Sequence, residues 1–232
     1  MNILESIDQN LQRSGITTIP FSSKFMFGAH MGKQFAEDIL PDIVAILEDP
    51  DSENYEYSLA GQIRNGRQVK INASQFTPRI VQLKTAIDTI AYSYVERWFA
   101  KAYAGQKRFE GRVELHDMWI VEQKENDYNP IHTHATPSPA GLSGVVYLQV
   151  PDQIGMPTGG GKAIQDVDGQ IQVIYGTTAM PDPTTFTTHE TIVIPPEPGR
   201  LLMFTRETTH QVYPFQGSGS RICIAFNVSV WF

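Results

Sequence analysis

Cysteine is all but missing from these 232 residues. The single thiol, Cys223, can form neither an intrachain disulfide nor a zinc–thiolate cluster. It lies within Arg221-Ile222-Cys223-Ile224-Ala225-Phe226, where its expected role is a small buried strand residue. Long apolar runs are missing as well. No segment reaches the roughly 18 residues a membrane span requires, so no membrane partner is expected. Residues 1–14 are polar and acidic and do not resemble a signal peptide, and a reducing, cytoplasmic setting is the expectation. Neither an internal repeat nor a low-complexity tract is present. What remains, 41% hydrophobic and 19% charged residues, is the composition of an ordinary globular protein long enough to bury one substantial core.

The net charge of −7 is unevenly spread. Lys and Arg number 3 against 10 Asp and Glu in residues 1–60, 10 against 3 in residues 61–112, and 5 against 12 in residues 113–232. A basic middle block could meet a polyanion. Two acidic blocks flanking it give the plainer account, balance within the protein itself, so a nucleic-acid partner is not expected.

The first hundred residues read as helical and the rest as β. Ile3, Leu4, Ile7 and Leu11 make a helical stripe over Asn2–Arg13. A second stripe runs over Lys33–Leu47, where Pro41 is expected to bend or interrupt it. Residues 57–73 suggest short strands around the turn Asn65-Gly66. Thr77-Pro78 is an N-cap followed by proline at the first helical position, and the stripe Ile80, Leu83, Ile87, Ile90, Ala91, Tyr94, Trp98 and Phe99 predicts a long helix ending near Gly105. Beyond Gly111 the period becomes that of strands: Val113–Glu122, Ser143–Val150, Thr191–Ile194, Leu201–Phe204, His210–Phe215 and Arg221–Phe232. The Gly/Pro-rich stretches Pro151–Lys162 and Gly176–His189 are expected as rim loops. The fold expected is α+β: one domain over 1–232, with a mainly helical part at 1–110 forming a layer on one face of a jelly-roll core at 111–232.

The candidate chemistry lies in the histidines. His132-Thr133-His134 places two imidazoles one residue apart, on one side of the chain if extended, and imidazole suits iron, zinc and copper. His210 can close such a site only if two strands lie side by side. Arg221, eleven positions after His210, offers a guanidinium fork suited to a carboxylate. His30, His116 and His189 have no partner at a useful spacing and read as structural or surface residues. Trp119, Tyr128, Asn129 and Asn227 could line a pocket, or could serve packing, turn formation and hydrogen bonding alone.

Taken together, His132-Thr133-His134, Leu142-Ser143-Gly144-Val145-Val146-Tyr147-Leu148, Pro198-Gly199-Arg200-Leu201-Leu202-Met203-Phe204, His210-Gln211-Val212 and Arg221-Ile222-Cys223-Ile224-Ala225-Phe226-Asn227 resemble the Fe(II)/2-oxoglutarate oxygenase superfamily. The resemblance is greatest to small oxygenases of bacteria and cyanobacterial phages, which would put a phage-encoded protein in the host cytoplasm. It covers about residues 113–232, with a looser match at Leu59-Ala60-Gly61-Gln62-Ile63. It implies a double-stranded β-helix, with His132 and His210 as iron ligands and 2-oxoglutarate and O2 as cosubstrates. It also implies Arg221 and Tyr147 on the far carboxylate of 2-oxoglutarate, and hydroxylation of an unidentified small-molecule or protein substrate with release of succinate and CO2. The oligomeric state is not implied. The chain departs from the family at His134, where an Asp or Glu is usual. His134 can act as a third ligand, stand aside, or become the first ligand of a shifted frame in which Thr136 takes the non-coordinating place seen in halogenases. Two further readings stand beside it: a cupin-like three-histidine dioxygenase without 2-oxoglutarate, and a non-enzymatic jelly-roll binding or virion module.

Overall fold

Arg221–Trp231 is buried along nearly its whole length, a pattern that only a strand covered on both faces can use. The computed structural model, which describes residues 9, 11–21, 24–154, 167–175 and 191–232, puts this strand in the interior of the larger of two sheets. In chain order the elements are β1 (Ile16–Phe21), β2 (Lys24–His30), α1 (Lys33–Glu48), β3 (Arg67–Lys70), α2 (Pro78–Ala102), β4 (Arg112–Gln123), β5 (Asn129–His132), β6 (Ala140–Gln149), β7 (Ile171–Ile174), β8 (Thr191–Ile194), β9 (Arg200–Thr205), β10 (Thr209–Val212) and β11 (Arg221–Trp231). The large sheet has the order β1-β2-β9-β6-β11-β4-β3 and the small one β5-β10-β7-β8. All pairings are antiparallel. The chain crosses between the sheets repeatedly from β4 to β11, which makes residues 112–231 a double-stranded β-helix.

Side-chain alternation divides β11 between two cores. Ile222, Ile224, Phe226 and Val228 join the cluster that includes Ile39 and Ile43 of α1 and Leu83 and Ile87 of α2. Arg221, Cys223, Ala225 and Asn227 instead face the cleft between the sheets. The same division holds in β4 and β6, whose Trp119, Val121, Val145 and Tyr147 face inward. One irregularity matters. Asn227 pairs with Asp117 but Val228 with Leu115, so the register skips His116, and both His116 and Asp117 line the cleft.

The helix over residues 78–102 starts as the sequence predicts, with the Thr77 hydroxyl accepting from the Ile80 N–H at 3.3 Å. Trp98, on its expected core face, is instead 38% exposed. Pro41 does not interrupt α1: the lost amide hydrogen bond is outweighed by a face that buries Ala36, Ile39, Ile43, Ile46 and Leu47. The hairpin expected around Asn65-Gly66 is also corrected. Only Arg67–Lys70 forms a strand there and it pairs with β4, because the Asp127 carboxylate holds the turn instead, accepting from the Arg64, Asn65 and Gly66 N–H groups at 2.8, 3.1 and 2.8 Å. The hairpin β1–β2 was not expected in a helical region; it extends the large sheet beyond β9. Of the first predicted helix, residues 9 and 11–13 are helical, and residues 2–8 lie outside the described residues. So do residues 155–162 and 176–189 of the two expected rim loops. Among the described residues no helix is long and apolar enough to cross a membrane.

Candidate metal centre

His132 ends β5 and lies directly across the ladder from His210 of β10, so the two side chains project from one face of the small sheet. Their rings are 4.2 Å apart between centroids. His134, two residues on, returns to the same side, its N–H fixed to the Arg206 carbonyl at 2.9 Å. Its Nε2 stands 3.2 Å from the Nε2 of His210, and each of the three rings offers a ligand atom within 4.8 Å of the others. Two imidazoles at right angles on one ion, each at about 2.1 Å, would stand about 3.0 Å apart, so the spacing fits a shared first-row metal.

Two of the tautomers are set by the backbone. The Nδ1–H of His132 donates to the Pro130 carbonyl at 2.7 Å, and that of His210 to the Thr208 carbonyl at 2.9 Å. Each leaves its Nε2 lone pair aimed inward, the arrangement that metal-ligating histidines use. Among the described residues His134 has no such carbonyl. The side chain of Asn227 lies against it and favours its charged form, though the Asn227 Oδ1 lacks a hydrogen bond of good geometry. Burial holds all three rings neutral. Desolvation, then the neighbouring His210 and His132, push His134 down to about 3; desolvation and then His132 push His210 down to about 4; desolvation also lowers His132. Three neutral donors packed this closely repel three protons but accept one cation.

Arg221 closes the cleft at its other end. It is 2% exposed, its Nη1 donates to the Gly169 carbonyl, and its Nε has no partner. Among the described residues no Asp or Glu pairs with it. A guanidinium buried without an anion is costly, so the site calls for an anionic ligand. Tyr147 lies beside it, its ring centre 5.9 Å from the guanidinium carbon. Burial raises the Tyr147 hydroxyl above its usual range more strongly than Arg221 lowers it, so it remains a proton donor. The cleft between these ends, about 420 Å³, is walled by Trp119, Phe204 and Val212. A dicarboxylate reaching from the imidazoles to Arg221 fits this donor set.

The sequence-predicted residues His132, His134, His210, Tyr147 and Arg221 thus converge on one cleft, and Trp119, Asn129 and Asn227 line it too. Tyr128 is 40% exposed beside it, and His116 joins the lining through the register skip. His30 is near the surface against Glu197, and His189 lies outside the described residues. Thr136 is engaged elsewhere, its Oγ1 accepting from Arg206 Nη1 at 2.7 Å. Arg206 escaped the sequence reading. It also donates to the carbonyls of Ser138 and Pro139, at 2.8 and 2.9 Å, clamping the turn after the histidine pair, but in sequence it is an ordinary polar turn residue. Gln68 of β3 lines the cleft as well, and nothing in the sequence distinguishes a lone glutamine in a four-residue strand.

Residues 117–227 match the family described as "Putative 2OG-Fe(II) oxygenase". The matched segment runs from within β4 to within β11 and takes in His132, His134, Tyr147, His210 and Arg221. Solved oxygenase-fold structures align along almost the entire chain. A Pseudomonas putida prolyl-4-hydroxylase is 13% identical, with 98% of each chain covered and a TM-score of 0.57. The non-haem α-ketoglutarate-dependent epimerase SnoN from nogalamycin biosynthesis is 15% identical, covering 97% of this chain and 82% of that one, with a TM-score of 0.55. A Trichoplax adhaerens prolyl hydroxylase, solved with a hypoxia-inducible-factor peptide, is 13% identical over 99% and 89%, with a TM-score of 0.54. At these identities the likeness is one of fold. No curated protein sequence matches the chain.

Proposed function

We propose that the chain works as a single oxygenase domain that holds Fe(II) through His132, His134 and His210, binds 2-oxoglutarate through Arg221 and Tyr147, and hydroxylates a C–H bond of a substrate in the same cleft. The observation that carries this reading is Arg221, buried and, among the described residues, without an anion, lining one cleft with three neutral imidazoles. The iron, when bound, supplies the activation of O2, and overall one oxygen atom enters the substrate while the other enters succinate as CO2 is lost. The protein's part is placement. The backbone carbonyls of Pro130 and Thr208 fix the tautomers of His132 and His210. The Arg221 fork and the Tyr147 hydroxyl donate to the far carboxylate, and Trp119, Phe204 and Val212 exclude water. A single buried thiol, Cys223, pushed up to about 11 chiefly by burial, fits a reducing, cytoplasmic setting and keeps a competing soft ligand protonated.

The absence of a carboxylate among the three ligands favours one alternative, a three-histidine dioxygenase that does not use 2-oxoglutarate. Arg221 speaks for the first reading. Titrating the protein with Fe(II) without oxygen should give one stoichiometric site, and adding 2-oxoglutarate should then bring up a weak visible charge-transfer band. Iron binding with no band and no 2-oxoglutarate binding would select the three-histidine alternative; His210→Ala retaining full iron content would overturn the metal site itself.

A further inference from the structure

Among the described residues, Gln68 is the one side chain lining the cleft whose hydrogen-bond donor and acceptor both lack a partner. It is 1% exposed. Pairing across the large sheet runs Gln68 to Val121, Val121 to Cys223 and Cys223 to Tyr147, so its carboxamide faces the same interior as Tyr147. A buried amide with neither bond made is a cost without a structural return. The surrounding chain is nevertheless built around it. The Gln62 N–H donates to the Tyr128 carbonyl at 2.8 Å, which ties the segment before β3 to the segment entering β5. Gly61 of that segment lies on the amide: a Cβ there would come within 2.7 Å of Oε1 and 2.9 Å of Nε2.

We propose that Gln68 recognises the oxidisable substrate, and that this substrate is an extended peptide whose backbone it reads; the proposal rests on the oxygenase reading above. In an extended chain the N–H and C=O of one residue point to the same side, and a carboxamide satisfies both at once. The rim suits a peptide as well. Tyr57, Ile131 and Tyr128 are 98%, 61% and 40% exposed, each next to a residue that lines the cleft. Arg221 is the one Lys or Arg among the described lining residues, Asp117 is also there, and the chain carries −7, a poor setting for the phosphates of a nucleic acid.

The test uses the full chain loaded with Zn(II) and 2-oxoglutarate, with N-acetylglycine methylamide as the peptide probe and acetamide as the control, read by NMR at the Gln68 side-chain NH2. The peptide probe should shift that signal saturably and acetamide should bind more weakly. Gln68→Met should weaken the probe roughly tenfold or more, the worth of two hydrogen bonds, while melting no lower than wild type because no internal bond is lost. Gly61→Ala, which crowds the amide without removing it, should weaken the probe too. A lower melting temperature for Gln68→Met would make Gln68 structural, and wild-type probe affinity in that variant would make it idle; either overturns the proposal. Acetamide binding as tightly as the peptide probe would overturn the peptide class. Affinity for 2-oxoglutarate should be unchanged in Gln68→Met, so a wild-type protein that fails to bind 2-oxoglutarate marks failure of the oxygenase reading and not of this one.

Discussion

Arg221 and Tyr147 differ in what they have at stake. The guanidinium is charged, buried and, among the described residues, short of an anion, while the Tyr147 hydroxyl is neutral and held protonated by burial. Arg221→Ala should therefore cost on the order of 2–5 kcal/mol of 2-oxoglutarate binding, by analogy with desolvated charge pairs. Tyr147→Phe should cost less, about 1.5–3 kcal/mol for one bond to a charged acceptor. Arg221→Lys loses the fork and should also bind 2-oxoglutarate more weakly. Iron content should change little in all three. Anaerobic titration of the iron-loaded variants measures this, and equal affinity in wild type and Arg221→Ala would reduce Arg221 to a structural residue. Arg221 was legible from its spacing after His210 at the head of an apolar run, and Tyr147 only through the family resemblance. Gln68 was not, since its meaning comes from the bonds it fails to make, and a sequence records no bonds.

Strands were legible in proportion to their apolar content. β4, β6, β8, β9 and β11 announce themselves, because burial on one or both faces demands runs such as Leu201-Leu202-Met203-Phe204. β5 and β7 do not. Asn129-Pro130-Ile131-His132 is four residues long and half polar, and it is a strand only because β10 pairs with it from about 80 residues away. The site therefore could be named from its histidines while the ladder that unites them could not. The failure at Asn65-Gly66 has the same origin: Asp127, 1% exposed, also accepts from the Lys124 N–H at 3.0 Å, and so joins the turn before β3 to the one after β4. Asp127→Ala would leave four backbone N–H groups without their acceptor. It should lower stability by roughly 2–4 kcal/mol in urea unfolding, with Asp127→Asn milder. A change within error would mean that water replaces the carboxylate at no cost.

The three imidazoles also give the metal-free molecule a pH dependence. Their folded values lie below the ordinary 6.5, so the unfolded chain takes up protons first. Their contribution to stability is complete above about pH 6.5 and is lost as pH falls toward about 4 for His210 and about 3 for His134, at most about 1.4 kcal/mol per pH unit for each ring. Urea midpoints of the metal-free protein should drop between pH 7.5 and 5.5, above the range where carboxylates titrate, and the drop should shrink in His210→Gln. A flat profile would mean that the rings are solvated. β11 bears on how the molecule comes into being. β11, which belongs between β4 and β6, leaves the ribosome well after both, so each waits with a bare edge until it arrives. The guanidinium arrives with it. Until then the nascent chain already contains all three histidines but has no closed cleft, and a metal ion captured early would find the imidazoles without the strand that carries the guanidinium.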